Sequence, residues 1–313
     1  MNLTPLQGAQ SGASLPPTAP PTASTTSFKV TLPALQEKKR SRTPIVALTA
    51  YDYASARVVD EAGIDLVLVG DSLAMVMLGY ESTLPVTVDE MLLFTRAVRR
   101  GVRRAVLVAD MPFGSYHASV AEGVTNAVRF LKEAGAEAVK IEGGRSRVEL
   151  VRALVEAEIP VVGHIGLTPQ SVHRMGGHRV QGKSFAAAEH LLEDARALEA
   201  AGISLLVLEG IPRELAAQIT AELQVPTIGI GAGPECDGQI LVLHDLLGLT
   251  FAPPAKFVRR YADLGGQMRA AVQQYGEDVA ARRFPGDAES YHLPIETRSQ
   301  MEQSLLSRRQ KKA

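Results

Sequence analysis

The chain has 313 residues, and its 33 Lys and Arg nearly balance its 34 Asp and Glu, for a formal net charge of -1. This balance gives no electrostatic support for binding to nucleic acid or to a membrane surface. No apolar stretch reaches the roughly 18–20 residues of a membrane-spanning helix. Cys236 is the one cysteine, which excludes an intrachain disulfide and a CxxC metal site, and a cytoplasmic location is expected.

The two ends of the sequence differ in composition from the part between them. Residues 1–27 are rich in Ala, Pro, Ser, Thr and Gly, which predicts a disordered low-complexity extension rather than a secretory or transit peptide. Residues 294–313 form a short charged tail. We expect this tail to be a frayed helix or to dock on a neighbour through Leu305 and Leu306. Residues 28–293 between them are expected to fold as one domain.

Within this domain, apolar strand-like segments alternate with helix-like segments. The eight predicted strands begin near Ile45, Leu66, Ala105, Ala138, Val161, Leu205, Thr227 and Leu241. Three of the helices should open with a capping box, in which a hydroxyl residue is followed three positions later by Glu, at Thr87–Glu90, Ser119–Glu122 and Ser146–Glu149. Eight β-then-α units predict a (β/α)8 TIM barrel, with an open doubly wound sheet as the alternative.

Four of the predicted strands end in a carboxylate. These residues are Asp71, Asp110, Glu142 and Glu209. A carboxylate at the end of a buried strand costs desolvation free energy unless a partner compensates it. In a barrel the carboxyl ends of all strands meet at one mouth, where the βα loops build the active site. The four carboxylates should therefore converge there and share a cationic partner, for which a metal ion is the first candidate.

Oxygen ligands from Asp71, Asp110 and Glu142, with water completing the shell, would suit a hard octahedral cation such as Mg²⁺. Lys140 lies two residues before Glu142, so its side chain should point to the same barrel interior. There it could hold an anionic substrate or form an interior salt bridge. The carboxylates should keep its amine protonated, which disfavours a Schiff base.

Two further residues at strand ends could act on protons. Glu209 is followed by Gly-Ile-Pro and lies far along the chain from the other three carboxylates. If it does not bind the metal, it suits work as a general base or acid. His164, in the run VVGHIG, could polarise a substrate, orient a neighbour or be an ordinary core histidine. A hard metal, a lysine and a separate carboxylate are the equipment of enolate chemistry on a 2-oxo acid.

The sequence also contains long motifs around these residues. They include TAYDYASA at 49–56, VGDSLAMVMLGYESTLPVT at 69–87, ADMPF at 109–113, VKIEGG at 139–144, GHIGLTPQSV at 163–172, LVLEGIP at 206–212 and IGIGAGPECDGQILVLHDLLG at 228–248. With these motifs in this order, residues 28–292 resemble the ketopantoate hydroxymethyltransferase family. Ala74 and Ala255 stand where glycine and proline are usual, and neither change removes a chemical group.

The resemblance implies a role for each site residue. It implies metal ligands at Asp71, Asp110 and Glu142, ketoacid contacts at Asp71, Ser72, Asp110 and Lys140, and a proton acceptor at Glu209. It further implies a (β/α)8 fold, one Mg²⁺ per subunit, and a homo-oligomer, commonly a decamer. The implied reaction transfers a hydroxymethyl group from 5,10-methylenetetrahydrofolate to 3-methyl-2-oxobutanoate through a Mg-stabilised enolate. The products are 2-dehydropantoate, on the route to pantothenate and coenzyme A, and tetrahydrofolate.

Two other functions are compatible with the residues. A Mg²⁺-dependent 2-oxo acid lyase or a mutase of the phosphoenolpyruvate mutase type would use the same metal but would need no folate. A catalytically silent barrel would act as a binding or scaffolding protein and would bind neither Mg²⁺ nor a ketoacid. The retention of every acidic group together with Lys140 argues against the silent barrel.

Overall fold

The computed structural model describes residues 28–310, so the predicted extension over residues 1–27 lies outside the described residues, as do residues 311–313. Parallel strands close into a barrel in chain order, and the last strand pairs with the first. The strands are β1 (Ile45–Thr49), β2 (Leu66–Val69), β3 (Val106–Asp110), β4 (Ala138–Glu142), β5 (Val161–Gly166), β6 (Leu205–Glu209), β7 (Thr227–Ile230) and β8 (Gly238–Leu241). This confirms the predicted (β/α)8 TIM barrel and excludes the open doubly wound sheet.

Helices surround the barrel and extend beyond it. They are α1 (Leu32–Arg40), α2 (Tyr53–Glu61), α3 (Leu73–Val76), α4 (Val88–Gly101), α5 (Val120–Lys132), α6 (Val148–Glu156), α7 (Val172–Met175), α8 (Phe185–Ala201), α9 (Arg213–Glu222), α10 (Leu243–Leu247), α11 (Leu264–Ala280) and α12 (Ile295–Gln310). Short 3₁₀ turns at Arg145–Arg147 and Pro169–Ser171 precede α6 and α7. Within residues 28–310 no helix combines the length and the apolarity needed to cross a membrane.

The eighth strand begins earlier than the sequence predicts. It runs from Gly238 to Leu241, so the predicted start at Leu241 is in fact its last residue. Gly238 and Gln239 carry no apolar strand signal, which is why the pattern misses them. Gly238 has no Cβ because one would lie 2.5 Å from the main-chain oxygen of Ile45 on the paired strand β1. The close approach of β8 to β1 that closes the barrel therefore depends on a residue that sequence periodicity does not mark.

The three predicted capping boxes have three different outcomes. At α4 the box is complete, because Thr87 Oγ1 accepts from the Glu90 N–H at 3.2 Å and Glu90 Oε2 accepts from the Thr87 N–H at 2.8 Å. At α5 the Ser119 hydroxyl accepts from the Glu122 N–H at 3.2 Å, which is half of a box.

The predicted box at Ser146–Glu149 is wrong. Helix α6 begins at Val148, and its N-cap residue Arg147 makes no side-chain cap. The preceding 3₁₀ turn is fixed instead by Asp194, which accepts from both the main-chain N–H and the Nε of Arg145 at 3.0 Å. This contact with α8 determines where α6 starts. A local sequence pattern cannot reveal it, because Asp194 is far from Arg145 in the sequence.

Helix α1 closes the amino-terminal end of the barrel. Its Leu35 is fully buried and joins the cluster of aliphatic side chains that fills the barrel interior, which includes Ile45, Leu66 and Val106. A second apolar cluster packs the outer helices against the strands. Because the amino-terminal end is filled by α1, the open end of the barrel is the one at which the strands terminate.

Helix α11 presents an exposed apolar stripe. Met268, Val272, Tyr275 and Val279 recur at helical spacing, and none of the residues of α11 is buried. Helix α12 covers most of the predicted tail, and its residues, including Leu305 and Leu306, are also exposed. Within the described chain, therefore, the predicted docking of the tail has no partner, and docking on a neighbour stays a prediction.

Candidate active site

The residues singled out in the sequence meet in one cavity of about 200 Å³ at the carboxyl ends of the strands. Its lining includes Asp71, Ser72, Asp110, Lys140, Glu142, His164 and Glu209. The strand register explains part of this convergence, because Asp110 on β3 lies opposite Lys140 on β4, and Glu142 lies opposite His164 on β5. The alternation of strand side chains aims Lys140 and Glu142 to the same interior face.

Asp110 connects the first two strand ends of the site. Its Oδ2 accepts from the main-chain N–H of Asp71 at 3.0 Å. Its Oδ1 lies 2.8 Å from Nζ of Lys140, and all three residues are buried. Burial lowers the pKa of Lys140, but the charges of Asp110, Glu142 and Asp71 outweigh burial and raise this pKa above its ordinary value. The lysine is therefore an ammonium ion at neutral pH.

The carboxyl groups of Asp71 and Glu142 have opposite pKa shifts. For Asp71, burial and the neighbouring charges of Asp110 and Glu142 raise the pKa well above its usual range. For Glu142, burial also raises the pKa, but His164, Lys140 and the main-chain N–H of Gln170 outweigh it and leave the pKa below its usual value. Negative charge is thus compensated around Glu142 and is in excess around Asp71.

His164 lies between two carboxylates and is almost completely buried. Its Nδ1 is 3.3 Å from Glu142 Oε1 and its Nε2 is 3.3 Å from Glu209 Oε2. The angles fall outside hydrogen-bond geometry, so both contacts are electrostatic pairs. Burial and Lys140 lower the pKa of His164, but the two carboxylates outweigh them and raise it to about 9. His164 therefore lies between Glu142 and Glu209, and its role in the site stays a prediction.

The three carboxylates of Asp71, Asp110 and Glu142 fit a hard divalent cation by their chemistry. Each has one oxygen held by a neutral N–H donor, from Gln170 Nε2, the Asp71 main chain and the Gln170 main chain respectively. Asp110 Oδ1 makes no hydrogen bond of good geometry in the described part of the chain, although it lies 2.8 Å from Lys140 Nζ. Within residues 28–310 no three acidic, His or Cys side chains converge as a ready-made metal site. A cation would therefore have to draw the carboxylates together.

Four residues of the site were not predicted from the sequence. Gln170 contacts both Asp71 and Glu142, and Tyr116 contacts Gln170. The hydroxyl of the fully buried Tyr51 lies 2.8 Å from Ser72 Oγ. Thr83 lines the cavity, and its buried hydroxyl has no hydrogen-bond partner among residues 28–310.

For three of these four residues the sequence did contain a signal. Tyr51, Thr83 and Gln170 lie within the long motifs TAYDYASA, VGDSLAMVMLGYESTLPVT and GHIGLTPQSV, but none of them ends a strand. Tyr116 lies just outside the motif ADMPF, on the loop after β3, and had no such signal.

Comparisons with known proteins identify the family of the chain. The family model described as ketopantoate hydroxymethyltransferase matches residues 29–287. The 3-methyl-2-oxobutanoate hydroxymethyltransferase of Koribacter versatilis (strain Ellin345) is 64% identical over 274 residues, which cover 88% of this chain and 93% of that protein.

Two solved structures share the barrel fold, and at their low identities the likeness concerns the fold alone. One is a 2,3-dimethylmalate lyase in its trigonal crystal form, with a TM-score of 0.55 and 18% identity over 90% of this chain and 96% of that one. The other is a phosphonopyruvate hydrolase in complex with oxalate and Mg²⁺, with a TM-score of 0.51 and 15% identity over 88% of this chain and 96% of that one. From the family match and the 64% identical relative, the chain belongs to the ketopantoate hydroxymethyltransferase family.

Proposed function

We propose that this hydroxymethyltransferase converts 3-methyl-2-oxobutanoate, 5,10-methylenetetrahydrofolate and water into 2-dehydropantoate and tetrahydrofolate. The observation that carries the proposal is the convergence of Lys140, three buried carboxylates and a separate Glu209 on one cavity. The 64% identical relative is named 3-methyl-2-oxobutanoate hydroxymethyltransferase, which supports the ketoacid and the transferred group of this proposal. The reaction belongs to pantothenate biosynthesis, and the cytoplasmic location expected from the sequence stays a prediction.

We assign Asp71, Asp110 and Glu142 as the ligands of one Mg²⁺ per subunit. Hard oxygen donors and a partly uncompensated negative charge are what such a cation requires. The phosphonopyruvate hydrolase that shares the fold holds Mg²⁺ together with oxalate, an anion with the 1,2-dioxygen pattern of a 2-oxo acid. When bound, the cation supplies Lewis acidity that makes the C3–H bond of the ketoacid more acidic.

The remaining polar residues bind and orient the ketoacid. The Lys140 ammonium and the Ser72 hydroxyl hold the substrate carboxylate, and Asp71 and Asp110 also contact the ketoacid. Tyr51 fixes the position of the Ser72 hydroxyl through their 2.8 Å contact. Because Lys140 is buried and pairs with Asp110, it offers a fixed positive charge with little solvent screening.

Glu209 is the group that removes the C3 proton in this proposal. Its side chain is less buried than those of the three metal ligands, and His164 holds one of its oxygens. As the C3–H bond breaks, its electron pair forms the bond to the one-carbon unit. The oxygen of water bonds to that carbon as the bonds to the folate nitrogens break. The C3 proton and the two protons of water end on the new hydroxyl and on two folate nitrogens.

The Glu209→Gln variant tests this assignment. We expect exchange of the C3 hydrogen of the ketoacid with D₂O, followed by NMR, to fall at least about 10²-fold because the proton acceptor is gone. Mg²⁺-dependent binding of the ketoacid, measured by calorimetry, should change little. Glu222→Gln, the same change on the exposed face of α9, is the matched control. Exchange at the wild-type rate in Glu209→Gln would show that another group is the base.

The homo-oligomer implied by the family resemblance, commonly a decamer, is also part of the proposal. It is supported by the exposed apolar stripe of α11, which has no cover within the described chain. Large exposed apolar surfaces on a folded domain mark interaction sites.

A 2-oxo acid lyase is the enzyme alternative, since a lyase shares the barrel fold. Likeness in fold alone does not favour it, and dependence on folate separates the two reactions.

A further inference from the structure

Gln170 lies where three strand ends meet, although it belongs to none of them. It is the middle residue of the 3₁₀ turn Pro169–Ser171, in the loop after β5, and it is 5% exposed. Its Nε2 donates to Asp71 Oδ2 at 2.9 Å and to the main-chain oxygen of Met111 at 3.0 Å. Its main-chain N–H donates to Glu142 Oε2 at 3.0 Å. One residue therefore contacts two of the three proposed metal ligands.

Chemistry fixes the orientation of this amide. The Met111 carbonyl can only accept, so the NH₂ group of Gln170, which contacts both this carbonyl and Asp71 Oδ2, must face them. The other side of the amide, Oε1, accepts from the hydroxyl of Tyr116 at 2.6 Å. That hydroxyl in turn accepts from the main-chain N–H of Glu142 at 3.1 Å. A continuous chain of hydrogen bonds thus runs from the end of β4 through Tyr116 and Gln170 to Asp71.

Tyr116 fixes the direction of these hydrogen bonds. The residue is 3% exposed, and its hydroxyl is held between the Glu142 N–H, from which it accepts, and Gln170 Oε1, to which it donates. Arg147 lies over its ring at 5.2 Å and limits movement of the ring. A fixed donor at Oε1 prevents the Gln170 amide from turning its oxygen toward Asp71.

We propose that Gln170, locked by Tyr116, is the positioning residue that holds Asp71 and Glu142 in the orientations that bind the cation. It occupies Asp71 Oδ2 and Glu142 Oε2, which leaves Asp71 Oδ1 for the ion, while Glu142 Oε1 also lies 3.3 Å from His164 Nδ1. Partners behind metal ligands commonly fix ligand orientation and strengthen binding. The inference rests on the proposed metal role of the three carboxylates, and it adds the residue that orients them.

The test compares metal affinities of the folded full-length chain. Gln170→Met keeps the length of the side chain and removes both polar atoms of the amide. We expect Mg²⁺ and Mn²⁺ affinities, measured by titration calorimetry, to fall about 10- to 100-fold. Gln218→Met is the matched control, because the amide of Gln218 donates to the exposed Glu222 on α9. The metal affinity of this variant should equal that of the wild type. A merely structural role would lower the thermal midpoint without changing the affinity of the folded protein.

Tyr116→Phe gives a second, gentler test that keeps the aromatic ring. It should weaken metal binding less than Gln170→Met and add little in the double variant, because both changes break the same chain. Wild-type affinity in a folded Gln170→Met variant would overturn the inference and leave the proposed function intact. If the wild type itself binds neither metal, the proposed metal role fails, and this inference fails with it.

Discussion

Lys140 has a charge state that decides which chemistry the cavity can perform. Its amine is surrounded by carboxylates and has a raised pKa, so it carries no free electron pair at neutral pH. A protonated lysine cannot attack a ketone, whereas it can hold the carboxylate of a ketoacid. The charge environment therefore favours enolate chemistry through a separate base over Schiff-base chemistry.

Reduction with sodium borohydride tests whether Lys140 forms a Schiff base with the ketoacid. We expect the protein mass to stay unchanged after incubation with 3-methyl-2-oxobutanoate and borohydride, because no imine is present to be reduced. Intact-protein mass spectrometry makes the measurement. An adduct that maps to Lys140 by peptide mass spectrometry, and is lost in Lys140→Met, would contradict the assignment.

Strand geometry positions most of the site residues that the sequence predicted, whereas Asp71 and Ser72 follow the end of β2 at Val69. Asp110, Lys140 and Glu142 could be found because a buried strand is apolar, its side chains alternate, and barrel strands end at one mouth. Gln170 and Tyr116 could not, because their positions depend on how two loops fold back over the strand ends. The start of α6 was missed for the same reason, since Asp194 of another helix determines it.

Among the contacts between elements, Asp65, which directly precedes β2, joins α1 to the amino-terminal end of the barrel. Its carboxylate accepts from Lys38 Nζ at 2.6 Å, from the Val46 N–H at 3.0 Å and from Arg104 at 3.2 Å. Burial raises the pKa of Asp65, but these donors outweigh it and hold the pKa below its ordinary value. The carboxylate therefore stabilises the fold above its unfolded-state pKa of about 3.9, and this stabilisation is lost as pH falls.

Asp65→Asn should lower the free energy of unfolding by about 2 kcal/mol at pH 7, because charged hydrogen bonds are replaced by neutral ones. The difference from the wild type should narrow as pH falls below about 4, because the unfolded chain takes up the proton first and the native carboxylate, with its lowered pKa, is protonated only at lower pH. Urea denaturation, followed by circular dichroism at each pH, measures the free energy of unfolding of both proteins. Asp287→Asn, which is 94% exposed, is the control and should change little. A pH-independent difference would contradict the role of the charge.

At the scale of the whole molecule, the closed barrel leaves part of its apolar surface without a partner. The stripe of Met268, Val272, Tyr275 and Val279 on α11 is exposed along its length. Helical spacing in the sequence could reveal an apolar face here, but it could not reveal that the face lies outside the core. The structure adds that information, and it supports the proposed homo-oligomer.

Light scattering with size exclusion tests the assembly. The wild type should have a mass that is a multiple of 33.4 kDa, with ten chains as the predicted number. Val272→Glu should reduce this mass because it places a charge in the apolar stripe. Gln273→Glu adds the same charge on the opposite side of α11 and should leave the mass unchanged. A monomeric wild type would refute the proposal.

Formation of the product shows whether the cavity performs hydroxymethyl transfer. The full-length chain is incubated with 3-methyl-2-oxobutanoate, 5,10-methylenetetrahydrofolate and Mg²⁺, and 2-dehydropantoate is measured by liquid chromatography and mass spectrometry. We predict that the product forms with all three present and is lost when the folate or Mg²⁺ is omitted. Cleavage of a 2-oxo acid without folate, and no 2-dehydropantoate with it, would contradict the account.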